Sequence, residues 1–209
     1  MMAAISHWSL ANQERAATML ASYPDKRSAL MPLLYLATLE HEFVTQEAMV
    51  EVAQLVGITP AQVHSVASFY TMFKREPVGD YLVSVCVSIT CHLLGGEDVL
   101  ASVEDATQTP RGGTSEDGRF SVERAECIGA CGGAPAVQVN YELIEGVSPD
   151  KAASLVKWLA DTIPTVVLAD EMQQLFGGQR SFDWGPTDSE GAIGAVPAFA
   201  PYGSSEAGR

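Results

Sequence analysis

The fold of this chain turns on one stretch, "AECIGACGGAP", residues 125–135. Cys127 and Cys131 stand there among small residues, with Gly132, Gly133 and Pro135 behind them. The chain has four cysteines in all, and the remaining pair, Cys86 and Cys91, lies in "VCVSITCHLL", residues 85–94. The spacing is therefore C-x4-C followed by C-x3-C, with no thiol left over. Cys86 closes a Val- and Tyr-rich strand pattern, "DYLVSVCV", and Cys127 closes an alternating one, "RFSVERAEC". Both thiol pairs are thus expected in loops at one edge of a sheet.

Four chemistries compete for such thiols. Structural zinc favours short knuckles of one kind, and these two spacings match that pattern poorly. A thioredoxin-type exchange couple requires C-x2-C, which is absent. Paired disulfides suit an oxidising compartment rather than the cytosol. A [2Fe–2S] cluster fits best, because each of its irons takes two sulfurs and the pairs come from separate loops. Gly129, Gly132 and Gly133 would let backbone approach such a cluster closely. The string "GACGGA" lacks the G-x-G-x-x-G spacing of a dinucleotide site. The cysteine spacing also departs from that of plant-type ferredoxins, so the scaffold must be a different one.

Outward from these strands the chain divides into three. Residues 1–76 read as helical. "TQEAMVEVAQLVG" opens on Thr45 as a cap and stops at Gly57, and "GITPAQVHSVASFYTMF" has Thr59 as cap with Pro60 in first position. "NQERAATMLASY" offers Asn12 as a cap, and "KRSALMPLLYLATLEHEF" carries leucines at helical spacing. Residues 77–164 read as β, α, β, β, β, α, a small mixed α/β unit whose last helix starts at Ser148 and Pro149. Residues 165–209 contain seven Gly, three Pro and four Ser, yet also Phe176, Phe182, Trp184, Phe199 and Tyr202. The composition predicts an extended C-terminal tail, docking or disordered. Phe69, Tyr70, Met72 and Phe73 are expected in the core.

Charge narrows the function. Twenty-six acidic residues against 12 basic ones give a net charge of −14, unsuited to nucleic acid or to anionic lipid. The N-terminus has no basic leader before an apolar core, and "ALMPLLYLATL" is too short to cross a bilayer. A cytoplasmic protein without membrane insertion is expected. No Ser/His/Asp set or phosphate loop is present, and "HEF" at 41–43 lacks the second His of a metalloprotease helix. The four histidines invite a Rieske centre, which four placed cysteines make unnecessary.

C-x4-C followed by C-x3-C within "ECIGACGGAP", together with "YPDKRSALMPLLYLA" and "ITPAQVHSVASFYTMFKREPVGDYLVSVC", resembles the NuoE-type subunit of bacterial respiratory complex I, NADH:quinone oxidoreductase. The resemblance spans roughly residues 12 to 162. It implies an α+β chain, in which a four-helix bundle domain precedes a thioredoxin-like domain with one [2Fe–2S] cluster on Cys86, Cys91, Cys127 and Cys131. It also implies a NuoF-type partner carrying NADH and FMN, further peripheral-arm subunits, and a position on the inner side of the cell membrane. The chain would carry single electrons within an NADH dehydrogenase and have no catalytic residue of its own. The equivalent subunit of an NAD-linked hydrogenase or formate dehydrogenase shares this plan, and a zinc-stabilised interaction module is the rival of another class. Glu126, beside a ligand, is a candidate tuner of potential, and His92 a candidate donor to sulfur. Tyr141 and Glu142 stand where many relatives have an acidic pair. Pro135 stands where thioredoxin-like folds often place a cis-proline.

Overall fold

The computed structural model describes residues 8–182 and 191–194. The chain separates into two compact units, Met1–Pro77 and Val78–Arg209.

The first unit contains α1 (Leu10–Ala21), a 3-10 turn (Lys26–Ala29), α2 (Leu30–His41), α3 (Gln46–Val56) and α4 (Pro60–Phe69). Side chains at the starts of three of the helices satisfy backbone donors that would otherwise be orphaned. Thr45 accepts from the Ala48 N–H at 3.0 Å. Thr59 and Gln62 form a reciprocal capping box, with Pro60 as first helical residue. α1 begins earlier than its sequence suggests. Ser9, not Asn12, is the cap, because the Asn12 side chain is drawn inward to donate to Glu40 at 2.6 Å. α2 buries Leu30, Leu33, Leu34, Leu36 and Ala37 and is apolar around most of its girth, as a helix at the centre of a unit must be. The Glu51 carboxylate is buried too, and takes the Trp8 indole N–H at 2.6 Å with His41 Nε2 at 3.1 Å. Phe73 is buried as expected. Phe69 is not: it is 76% exposed, stacked edge-on to Tyr70. The run "SFYTMF" leaves the helix there, and only Phe73 turns inward.

The second unit has the order β1 (Tyr81–Cys86), α5 (Ile89–Leu93), α6 (Gly96–Thr107), β2 (Phe120–Ala125), β3 (Val137–Val139), β4 (Glu142–Ile144), α7 (Pro149–Thr162) and α8 (Ala169–Phe176). The sheet runs β2-β1-β3-β4; β1 is parallel to β2 and antiparallel to β3. All six residues of β1 are buried, which is why it reads as an apolar run rather than an alternation. Tyr81, Val83 and Val85 face a core shared with Val99, Leu100 and Val103 of α6 and Leu155, Val156 and Leu159 of α7. The β3–β4 hairpin turns on Asn140 and Tyr141, both at positive φ, as a two-residue primed turn requires. Asn140 adapts to this conformation and also extends the sheet: its side chain accepts from Leu82 N–H and donates to the Asp80 carbonyl. The peptide bond Ala134–Pro135 is cis.

Residues 165–209 were expected as an extended tail, and their first part is otherwise. Ala169–Phe176 is helix α8, and Met172 and Phe176 lie in the core of the second unit, Phe176 against Trp158. Burial of those side chains outweighs the turn-rich composition on either side. Val167 and Ala192 pair as an isolated bridge. Trp184, Phe199 and Tyr202 lie outside the described residues.

Candidate metal centre

Parallel pairing positions the site. β1 and β2 align from Tyr81↔Phe120 to Cys86↔Ala125, so both strands release their carboxyl ends at one edge. Cys86 is the last residue of β1, and Cys127 follows β2 after Glu126. Past Cys86 the chain turns at Ser88 into α5, which carries Cys91 back into the same buried cluster as Cys86. Both sulfurs are withdrawn from water: Cys86 is 3% and Cys91 2% exposed, in a small cluster with Ala130, Ala136 and Ile128. The Cys86 N–H is held by the Ala136 carbonyl at 3.0 Å, which ties this half of the site to the loop after Cys131.

The second pair is built differently. Gly129, at φ +97°, makes the turn between the two thiols, and Cys131 opens a 3-10 turn, Cys131–Gly133. Cys127 and Cys131 are exposed, with their sulfurs 3.7 Å apart. Two thiolates on one tetrahedral metal, with bonds of about 2.3 Å, stand about 3.8 Å apart. The pair already has the separation that one metal would demand. Thr90, on α5, comes near enough to Cys131 to ease its ionisation, so the two halves of the site adjoin.

Electrostatics report the crowding. Burial, then the neighbouring Cys86 and Cys131, push the Cys91 thiol up to about 11, while the Ala136 backbone pulls the other way. Cys131 is raised by its hydrogen bond to Cys127 and by that thiol's charge. Four sulfurs this close resist becoming four thiolates unless cationic metal compensates them, since binding must displace their protons. Among the described residues no three Cys, His, Asp or Glu side chains converge to hold a single ion. The sulfurs form two pairs, and such a donor set fits a centre of two metals that each take one pair.

All four predicted thiols therefore come to one edge. The other candidates do not join them. Glu126 points to solvent and pairs with Arg124 at 3.3 Å, and His92 is exposed on α5. The pocket is dry on the Cys86–Cys91 side only. Two contributors carry little mark in the sequence. Thr90 has no signal beyond its place inside C-x4-C. Gly96 is packed so closely that a Cβ there would lie 2.7 Å from the Cys86 carbonyl oxygen and 2.9 Å from that of Cys91; the Gly95–Gly96 pair is its only mark. Ile89 and Leu93 flank Cys91 and are each 77% exposed, giving the site an apolar rim.

A family model described as thioredoxin-like [2Fe-2S] ferredoxin matches residues 16–160. An NADH-quinone oxidoreductase subunit of Mycobacterium tuberculosis is 38% identical over 149 residues, 71% of this chain and 59% of that protein. NADH-quinone oxidoreductase subunit 2 of Thermus thermophilus is 40% identical over 124 residues, 58% of this chain and 68% of that one. The chain thus spans less than two thirds of the mycobacterial relative. Among solved structures, an NAD+-reducing [NiFe]-hydrogenase in the air-oxidised state superposes with a TM-score of 0.57 at 20% identity, over 72% of this chain and 25% of that one. That likeness is one of fold.

Proposed function

We propose, from the premise that this chain belongs to the thioredoxin-like [2Fe–2S] ferredoxin family, that it is the electron-carrying subunit of an NADH-oxidising assembly. In this reading Cys86 and Cys91 hold one iron, and Cys127 and Cys131 hold the other. The observation that carries it is the 3.7 Å between the Cys127 and Cys131 sulfurs at the same sheet edge as the buried pair. When bound, the cluster accepts and releases one electron at a time. The protein's part is to fix four sulfurs, shield two of them from water and expose the other two. The half-buried geometry suits exchange with a partner that covers the exposed side.

That partner is proposed to be a subunit bearing FMN and NADH, of the NuoF type, with the chain working as one piece of a proton-translocating NADH:quinone oxidoreductase. The relatives that carry the name NADH-quinone oxidoreductase support this assignment. The exposed Ile89 and Leu93 beside Cys91 offer an apolar contact for it. α1–α4 are read as the family's four-helix bundle domain. No described helix is long and apolar enough to cross a membrane, and the chain is placed at the inner membrane face through its partners.

Anaerobic purification of the full chain tests the reading. Iron and sulfide in equal amount, with a rhombic signal from the dithionite-reduced protein, are expected. In the presence of the flavin subunit, NADH reduces the cluster; in its absence it does not. A colourless protein containing zinc would refute the cluster, and a red protein with no affinity for a flavin subunit would refute the assembly alone.

A further inference from the structure

The Cys131 turn is backed by a segment beyond the residues that the family model matches. After α8 the chain runs through residues 177–181 and is fastened to Glu145 at successive points. Gly178 N–H donates to the Glu145 carbonyl at 2.8 Å. The Gln173 side chain accepts from Glu145 N–H at 2.8 Å and donates to the carbonyls of Glu145 and Gly178, each at 3.2 Å. Lys151 Nζ donates to the Gly177 carbonyl. The Glu145 carboxylate in turn accepts from Ser181 N–H at 2.9 Å and from the Ser181 hydroxyl. Next to Glu145, Gly146 N–H donates to the Gly133 carbonyl, within the Cys131 turn itself.

Packing gives the same picture independently. A Cβ on Gly132 would meet Ser181 Cα and Cβ, each at 3.1 Å, and its Oγ at 3.3 Å; one on Gly133 would meet the Gln179 carbonyl at 2.8 Å. The glycines beside Cys131 are thus small toward residues 179–181. A 3-10 turn of three residues holds itself weakly, because its hydrogen bonds are poorly aligned. Its exposed thiol needs an external support if it is to stay where a metal requires it.

We infer that residues 177–181 form a strap that fixes the Cys131 turn through Glu145, which makes Glu145 and Ser181 positioning residues of the metal centre. The inference rests on the cluster reading, and its test separates the two. Gly132→Ala, Ser181→Gly and the double variant are compared in the full chain, loaded with cluster. The readouts are iron release to a chelator and hydrogen exchange at residues 131–133, with melting as a control for the fold. Ser181→Gly releases iron about three- to tenfold faster, the range one lost hydrogen bond supplies. Gly132→Ala does so by pressing on the strap. Together they fall short of the product of the two, since Ser181→Gly removes two of the three crowding atoms. Melting stays with wild type, because Met172 and Phe176 still anchor α8. Wild-type release from both single variants, or strictly multiplicative effects, overturns the strap. Should the wild-type chain hold no iron, the cluster reading falls, and the exchange rates decide the strap alone: rates at residues 131–133 unmoved by Ser181→Gly overturn it.

Discussion

Replacing Gly96 by alanine sets two effects of opposite sign against each other at the buried thiol pair. Alanine is favoured over glycine within a helix by up to about 1 kcal/mol, so propensity alone predicts a stabilised α6. Packing predicts the reverse. The new Cβ would stand 2.7 Å from the Cys86 carbonyl oxygen, 2.9 Å from that of Cys91 and 3.0 Å from the Cys91 carbonyl carbon, whereas ordinary contact begins at 3.4 Å. Some backbone must therefore move by about 0.7 Å, the difference between the first and last of those distances. α6 cannot retreat, because Val99, Leu100 and Val103 are fully buried in the core of the second unit. The displacement falls on the loop that carries the two thiols. Overpacking of this kind costs about 1–3 kcal/mol, which for a chain of this size lowers the melting temperature by roughly 2–4 °C per kcal/mol. Iron per chain after desalting, together with the melting curve, reads both consequences; reduced occupancy and a Tm drop of several degrees are expected. Gly57→Ala is the control. Gly57 has φ +79° with open space around it, so the substitution costs about 1–2 kcal/mol of backbone strain and leaves iron untouched. A Gly96→Ala protein with full iron that melts at or above wild type would refute the packing argument.

Other perturbations separate further parts of the structure. Leu159→Ala, at a side chain with no exposure in α7, is expected to cost about 2–5 kcal/mol in urea unfolding; a loss below about 1 kcal/mol would mean that α7 is not part of the core. Burial opposes ionisation of Glu40, but hydrogen bonds from Asn12 and Ser9, with His41 beside it, hold its carboxyl below the ordinary 4.5. A depressed carboxylate contributes stability above pH 4.5 that is lost as the pH falls through its lowered value. Trp8 fluorescence should therefore report weakening of the first unit below pH 4.5, and Glu40→Gln should flatten that slope; an unchanged slope would show that other groups set it. In protein stripped of metal, Cys127 and Cys131 should alkylate well before Cys86 and Cys91, because only the first pair is exposed. Equal labelling by mass spectrometry would place all four thiols in one environment.

Legibility in the sequence followed how local each cause is. Caps at Thr45, Thr59 and Ser148 are decided within a turn of chain, and the residues alone revealed them. Cysteine spacing, set against strands that end at Cys86 and Ala125, carried the two halves of the site. What stayed hidden depends on partners far along the chain. Ser9 displaces Asn12 as a cap because Glu40 claims the Asn12 side chain. α8 has no side-chain cap at Leu168 and is followed by two glycines, so only the i, i+4 pair Met172 and Phe176 marked it. Phe69 looked like core because nothing local tells which aromatic of "SFYTMF" turns inward. Glu145 and Gly132 acquire meaning only from Ser181, and no short-range pattern connects them.

The parallel pairing of β1 with β2 also governs when the site can exist. Antiparallel strands zip from a turn; parallel strands must wait for the crossover between them, here α5 and α6, before their edges meet. During synthesis Cys86 and Cys91 are made first and spend that interval as half of a ligand set, with Cys127 and Cys131 still to come. Iron arriving then would meet only two thiols. The full ligand set therefore exists at one edge only once the crossover is complete and β2 has paired with β1.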